Sequence, residues 1–349
     1  MITTPDTELR KRDSYIDNLK IILIFLVVVT HYAGMYIDVP SMQSIYNAFC
    51  SFLMPEFIFI TGYLSKKIVS QRKSDIINVL VPYLLLQAYH LIFTKMTGLG
   101  NGSFNITIPT FQNWYLLALF IWRLLVPYFH FFNKTAAIIA VFAISLLIGF
   151  IPQFDKFLAL HRAIFYLPFF VLGYFCIDIK NIIARFHRFK PLFILLFFCS
   201  IAAIILLSYF SKKISYLITY AYLPAFGYHS LKYYTAKSLL PFVIRFFGMA
   251  ISIFISWFNL FLVPMKKTWY SKFGRNTIYV FLFHMFLVWP IATIPYKPVI
   301  TELSVLIFSF LISYLLSQDF VVKILRPFIN PGYFFNKLSG RHPDLSAQL

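Results

Sequence analysis

Apolar runs of about 15 to 25 residues recur along almost the whole chain, each long enough as a helix to cross the roughly 30 Å of hydrocarbon in a bilayer. Of the 349 residues, 60% are hydrophobic and 12% charged, with 43 Phe and a mean hydropathy of +0.76. A soluble domain carries about twice that charged fraction. The reading is an all-α, polytopic transmembrane helical bundle. Spans are expected near 17–37, 44–65, 76–93, 114–132, 135–151, 163–177, 191–210, 239–263, 278–294 and 301–317, about ten in all, with 163–177 the weakest by length. No compositional break marks off a soluble domain. Residues 1–335 therefore read as one integral-membrane domain, and the polar 336–349 as a disordered cytoplasmic tail.

The net charge of +19 invites a nucleic-acid partner, but its distribution has a simpler cause. With the N-terminus in the cytoplasm, twenty Lys and Arg fall on cytoplasmic segments, eight on external ones and three (Lys20, Arg123 and Arg245) within spans. Runs such as "KKIVSQRK" (66–73) and "KNIIARFHRFK" (180–190) all land inside. That is the positive-inside bias; it puts both termini in the cytoplasm and leaves no charge for nucleic acid to explain. The N-terminal "MITTPDTELRKRDSYIDN" is too long and too acidic for a signal peptide, so the first run is expected to be retained. Cys50, Cys176 and Cys199 sit in apolar runs and read as buried small hydrophobes, not as a disulfide framework or metal ligands. Two longer external connections, 94–113 and 211–238, are expected; the tyrosines of the second read as an interfacial aromatic belt.

Polar groups inside apolar runs are costly and therefore informative. Lys20 and His31 are eleven residues apart in "LKIILIFLVVVTHY", which returns to within about 20° of the same helix face after a rise of about 16 Å. Asp17 lies on roughly the same stripe. Each alone has a structural explanation, a snorkelling lysine or a packed histidine. Together they point to a functional path. Glu56 in "MPEFIFITGYLS" must be protonated or paired, with Lys20, His31 or Arg123 as its available partners. Arg123 and Arg245 read as inter-helix donors, and His90 as interfacial. No span carries two metal-ligating residues at i, i+3 or i+4, so no metal is expected. There is no G-x-S-x-G turn of a serine hydrolase.

Five stretches in series resemble the acyltransferase 3 family of integral membrane acyltransferases. "YIDNLKIILIFLVVVTHY" is similar to its first helix, in which a Lys or Arg is followed after ten residues by an essential His. "MPEFIFITGYLSKK", "NWYLLALFIWRLLVP", "RAIFYLPFFVLGYF" and "FGRNTIYVFLFH" follow in the family's order, across residues 15 to 284. The branch most similar is the fucose 4-O-acetylase-like group. The resemblance implies a bacterial plasma-membrane enzyme that uses acyl-CoA, by default acetyl-CoA, to acylate a sugar hydroxyl of a cell-envelope or exported glycan. Glu56 departs from the family, which usually has a small or apolar residue there. No fused extracytoplasmic domain is expected.

On that reading His31 is catalytic, as general base or acyl-carrying nucleophile, and Glu56 is expected to orient it. Lys20, Lys66, Lys67, Arg72 and Lys73 are expected to hold the phosphates of acyl-CoA, with its arm reaching toward His31 along the first helix. Tyr63, Trp114, Arg162 and His284 are the family-matched residues expected on the acceptor side, where a glycan or lipid-linked sugar would sit. The alternative is a transporter or flippase of a lipid-linked sugar, against which stand the absence of a visible inverted repeat and the Lys–His stripe.

Overall fold

The computed structural model describes residues 12–66, 76–99, 105–231 and 239–329; Lys67, Arg72, Lys73 and the 336–349 tail lie outside them. Among the described residues there is no strand. The helices are α1 (Ser14–Gly34), α2 (Pro40–Cys50), α3 (Leu53–Ser65), α4 (Val81–Thr97), α5 (Trp114–Leu125), α6 (Lys134–Leu147) and α7 (Leu160–Phe175). They are followed by α8 (Ile179–Arg185), α9 (Lys190–Phe210), α10 (Lys212–Tyr222), α11 (Leu240–Asn259), α12 (Thr277–Ile291), α13 (Ile300–Leu316) and α14 (Asp319–Ile329). Six described helical segments are long and apolar enough to span a bilayer, and α13 with α14, bent by 73°, makes a possible seventh. The protein is a multi-pass helical membrane protein.

The two ends of the bundle are chemically distinct. At one end Lys180 pairs with Asp13 at 2.8 Å, and Asp17 receives Arg12 at 3.0 Å and Lys20 at 3.6 Å. Arg275 there pairs with Asp319. This is the end that the positive-inside bias expects in the cytoplasm. At the other end Ser41 and Tyr296 donate to Glu302, and the backbone N–H of Leu158 donates to Thr107.

The outer helices meet lipid with bare apolar surface. Helix α9 makes up most of the span His187–Phe210, the most apolar of the described spans and the one least buried inside the protein. In water such a surface would aggregate; in hydrocarbon it is matched to its solvent. Helix α14 bends away from α13, packs its end on α4 through Phe328 and Tyr89, and exposes Phe320 and Ile324, apolar side chains suited to lying in the membrane interface.

The inner helices are built differently. The 163–177 segment, the weakest span by sequence, is the central helix α7, most of which is buried inside the protein. It crosses α3 at near-backbone contact: a Cβ on Gly62 would run into the Phe170 carbonyl, and one on Gly173 into the Phe59 carbonyl. Small residues at a crossing let backbones approach where no hydrophobic drive exists between helices. At the basic end Asn18 holds the loop before α12. Its amide donates to Pro264 and Lys266 carbonyls at 2.8 and 2.9 Å and its oxygen accepts from Ser271 and Thr268. At the far end Asn47 of α2 clasps Ser208, Ser215 and Thr219 of α9 and α10.

Two sequence expectations are corrected. His90 is not interfacial: it is 1% exposed and stacks on Phe286 at 4.4 Å, because residues 105–113 fold back over it. Cys199 is exposed on α9 instead of buried, while Cys50 and Cys176 are half-buried and free. The first part of the 211–238 connection is helix α10.

Candidate active site

Helix α1 carries His31 one turn before its C-terminus, toward the end opposite the basic one. Its imidazole lines a cavity of about 230 Å³ with Thr30, Tyr46, Trp114, Arg162 and Tyr166. Three residues singled out in the sequence, His31, Trp114 and Arg162, thus share one cavity, from three separate helices.

Each is placed for a local reason. Trp114 opens α5, and the segment leading to it is organised by the Gln87 side chain of α4. That amide donates to Asn105 and Ile108 carbonyls and accepts from Thr110 and Asn113. The same segment holds Phe111 at φ 44°, a left-handed conformation unusual for a phenylalanine, and Phe111 closes one side of the cavity. Arg162 lies in the first turn of α7, its guanidinium 5.3 Å from the Trp114 ring centre, while Tyr166 one turn later stacks on that ring at 5.6 Å. Among the described residues Arg162 forms no ion pair. An unpaired guanidinium lining a cavity beside an imidazole is equipped to bind an oxyanion or a hydroxyl.

His284 of α12 does not line the cavity. It is fully buried, with its ring centre 5.0 Å from that of His31. Its Nδ1 lies 2.9 Å from both the Val280 and Phe281 carbonyls. A carbonyl only accepts, so Nδ1 carries the proton and Nε2 is a bare lone pair, buried and without a partner. A fixed acceptor of this kind beside His31 can hold the second imidazole's N–H and leave its other nitrogen bare.

Glu56 does not sit where the sequence placed it. Its Oε2 accepts from Asn259 of α11 at 2.8 Å, and the side chain lines a different recess. The side chain packed beside the His31 ring is His284, not Glu56. Tyr63 is likewise remote from His31: its ring lies under the Lys66 ammonium at 4.2 Å, at the basic end. Lys20 turns to Asp17. Sequence reasoning passed over Asn259, although an Asn inside "ISWFNLF" was a visible polar residue in an apolar run.

The outer wall of the cavity is a strap around Tyr222–Pro224, and buried Arg245 fixes it. Its guanidinium donates to the Phe226 carbonyl at 2.5 Å and lies 3.4 Å from His161 Nε2, while His161 Nδ1 donates to the Pro224 carbonyl at 3.0 Å. The Tyr220 and Tyr228 rings flank the same cation at 4.8 and 5.2 Å. Replacing Arg245 by Met is expected to speed amide exchange of Gly227–Leu231 by about tenfold or more, since it orphans buried acceptors. Unchanged exchange in that segment would show that the strap holds without Arg245.

Compared with known families, residues 13–318 match the acyltransferase domain family. The chain belongs to acyltransferase 3. No curated protein and no solved structure matches it. The chain is a membrane acyltransferase whose cavity-lining His31 has a second imidazole of fixed tautomer beside it and shares its cavity with the Arg162 guanidinium.

Proposed function

We propose that this acyltransferase moves a short acyl group, acetyl by default, from cytosolic acyl-CoA to a sugar hydroxyl of a cell-envelope or exported polysaccharide at a bacterial plasma membrane. The observation that carries the reading is the convergence of His31, Arg162 and Trp114 on one cavity at the end of the bundle away from the basic face. Aromatic rings beside a cation and an imidazole suit a polyhydroxylated acceptor.

In this reading the acceptor hydroxyl attacks the thioester carbonyl carbon while the bare nitrogen of His31 takes its proton. Arg162 stabilises the charge that develops on the carbonyl oxygen. The carbon–sulfur bond then breaks, the proton passes from His31 to the departing sulfur, and the products are the O-acyl sugar and free CoA thiol. Among the site residues expected from the family, Trp114 binds acceptor and His284 positions His31. Glu56 and Lys66 serve the donor in this reading, and Tyr63, expected on the acceptor side, joins them because its ring lies against Lys66.

The test uses membranes containing the protein and acetyl-CoA labelled in its acetyl group. Base-labile label is expected in the glycan fraction, dependent on the protein. Absence of label across several acyl-CoAs and acceptors, with flux of an unmodified lipid-linked sugar in its place, would replace the reading with transport.

A further inference from the structure

Resting on that reading, a second recess says how the donor arrives. We propose that the pantetheine arm of the acyl thioester enters from the basic end through the groove between α3, α6, α7, α8 and α11, where the Glu56 carboxyl receives an amide N–H of the arm. The groove is about 320 Å³ and is walled by Phe59, Phe169, Leu172, Phe175 and Trp257, with Glu56 the acidic group among them. Glu56 is 1% exposed, and while Oε2 is held by Asn259, Oε1 has no partner. A buried oxygen without a donor is unfavourable unless a ligand supplies one. A lipid tail cannot. A pantetheine arm can, being an apolar chain interrupted by secondary amides.

Both ends of the groove fit that occupant. At its mouth the Lys134 ammonium lies 3.1 Å from the Phe175 carbonyl and that of Lys66 lies 3.4 Å from the Ile177 carbonyl. Neither forms an ion pair among the described residues, so two cations flank the mouth where the nucleotide phosphates would remain. At its inner end Pro55 and Phe169 also border a pinch of about 10 Å³, which shares Cys50, Tyr166 and Tyr222 with the His31 cavity. Helix α7 runs past all three spaces, from Arg162 through Phe169 to Cys176, a rise of about 21 Å. That is the reach of an extended arm. The Lys20 stripe of α1 takes no part in this path.

The protein carries its own reporters. Cys176 lines the groove, and Cys199 faces outward on α9. In nanodiscs, acetyl-CoA at about ten times its dissociation constant is expected to slow maleimide modification of Cys176 about tenfold, while Cys199, held in hydrocarbon where the reactive thiolate does not form, stays unlabelled with or without it. Glu56→Leu is expected to raise KM for acetyl-CoA about three- to tenfold with the acceptor KM unmoved, and Glu56→Gln, which keeps an acceptor oxygen, to restore it. Protection by an acylated carrier protein instead of acetyl-CoA would keep the arm in the groove and change what it is attached to. Undiminished labelling of Cys176 while acyl transfer proceeds would place the donor elsewhere, and protection by a polyprenyl phosphate alone would make the groove a lipid site. Loss of all acyl transfer, in contrast, would overturn the functional reading itself.

Discussion

His31→Ala is expected to lower acyl transfer by about 10²–10⁴-fold, the usual worth of a positioned general base, with the protein still folded. The fold should survive because His31 faces a cavity: its removal enlarges a space already present and leaves the Thr30 hydroxyl on the Leu26 carbonyl at 2.7 Å. His31→Gln, which fills the same space without a basic nitrogen, is expected to be as inactive as alanine. The measurement is single-turnover transfer of labelled acetyl from acetyl-CoA, with the variants matched to wild type for expression and elution volume. Equal rates in wild type and both variants would mean that the proton leaves by another group, and the chemistry would have to be sought away from α1.

The second large effect is on stability. Gly62→Ala and Gly173→Ala are each expected to destabilise the bundle by about 2–3 kcal/mol, the upper range of overpacking. In both cases the new methyl meets the carbonyl of the opposing helix, a rigid group that cannot swing aside as a long side chain would. The two sites belong to one crossing of α3 and α7. Once the helices are forced apart by either methyl, the other is partly accommodated, so the double variant should cost less than the sum. Unfolding midpoints in mixed micelles would measure this. Midpoints unshifted in either single variant would show that the crossing has slack, and the placement of Arg162 and Tyr166 by α7 would then need another explanation.

The sequence exposed the helical bundle well because lipid imposes a plain rule on the residues that touch it. It ranked the helices poorly for the same reason. Helix α9 is the most apolar span and the least integrated, whereas α7 has a hydropathy of only 1.5. A helix surrounded by protein must offer glycines, prolines and hydrogen-bonding side chains to its neighbours, and those dilute its hydropathy. The site was legible in part. The eleven-residue interval from Lys20 to His31 follows from helical periodicity, and the resemblance to a family supplied Trp114 and Arg162. The partner of Glu56 was hidden because Asn259 is 203 positions away and only packing brings it near. His90 looked interfacial because it ends an apolar run; what buries it is a connection anchored by Gln87, which periodicity does not reveal.

The pinch between groove and cavity bears on the membrane's electrical insulation. On the proposed reaction the acyl group passes from one compartment to the other, and the enzyme must not become a leak for the ions whose gradients power the cell. Phe165, Phe169, Pro55 and Met249 surround a gap of about 10 Å³, the room of roughly one water centre. A hydrated cation would have to shed its water against hydrocarbon to cross it, at a cost far above thermal energy. On the proposed donor route, a neutral thioester arm that parts these side chains would fill the gap as it enters, so the passage would be plugged by its own cargo.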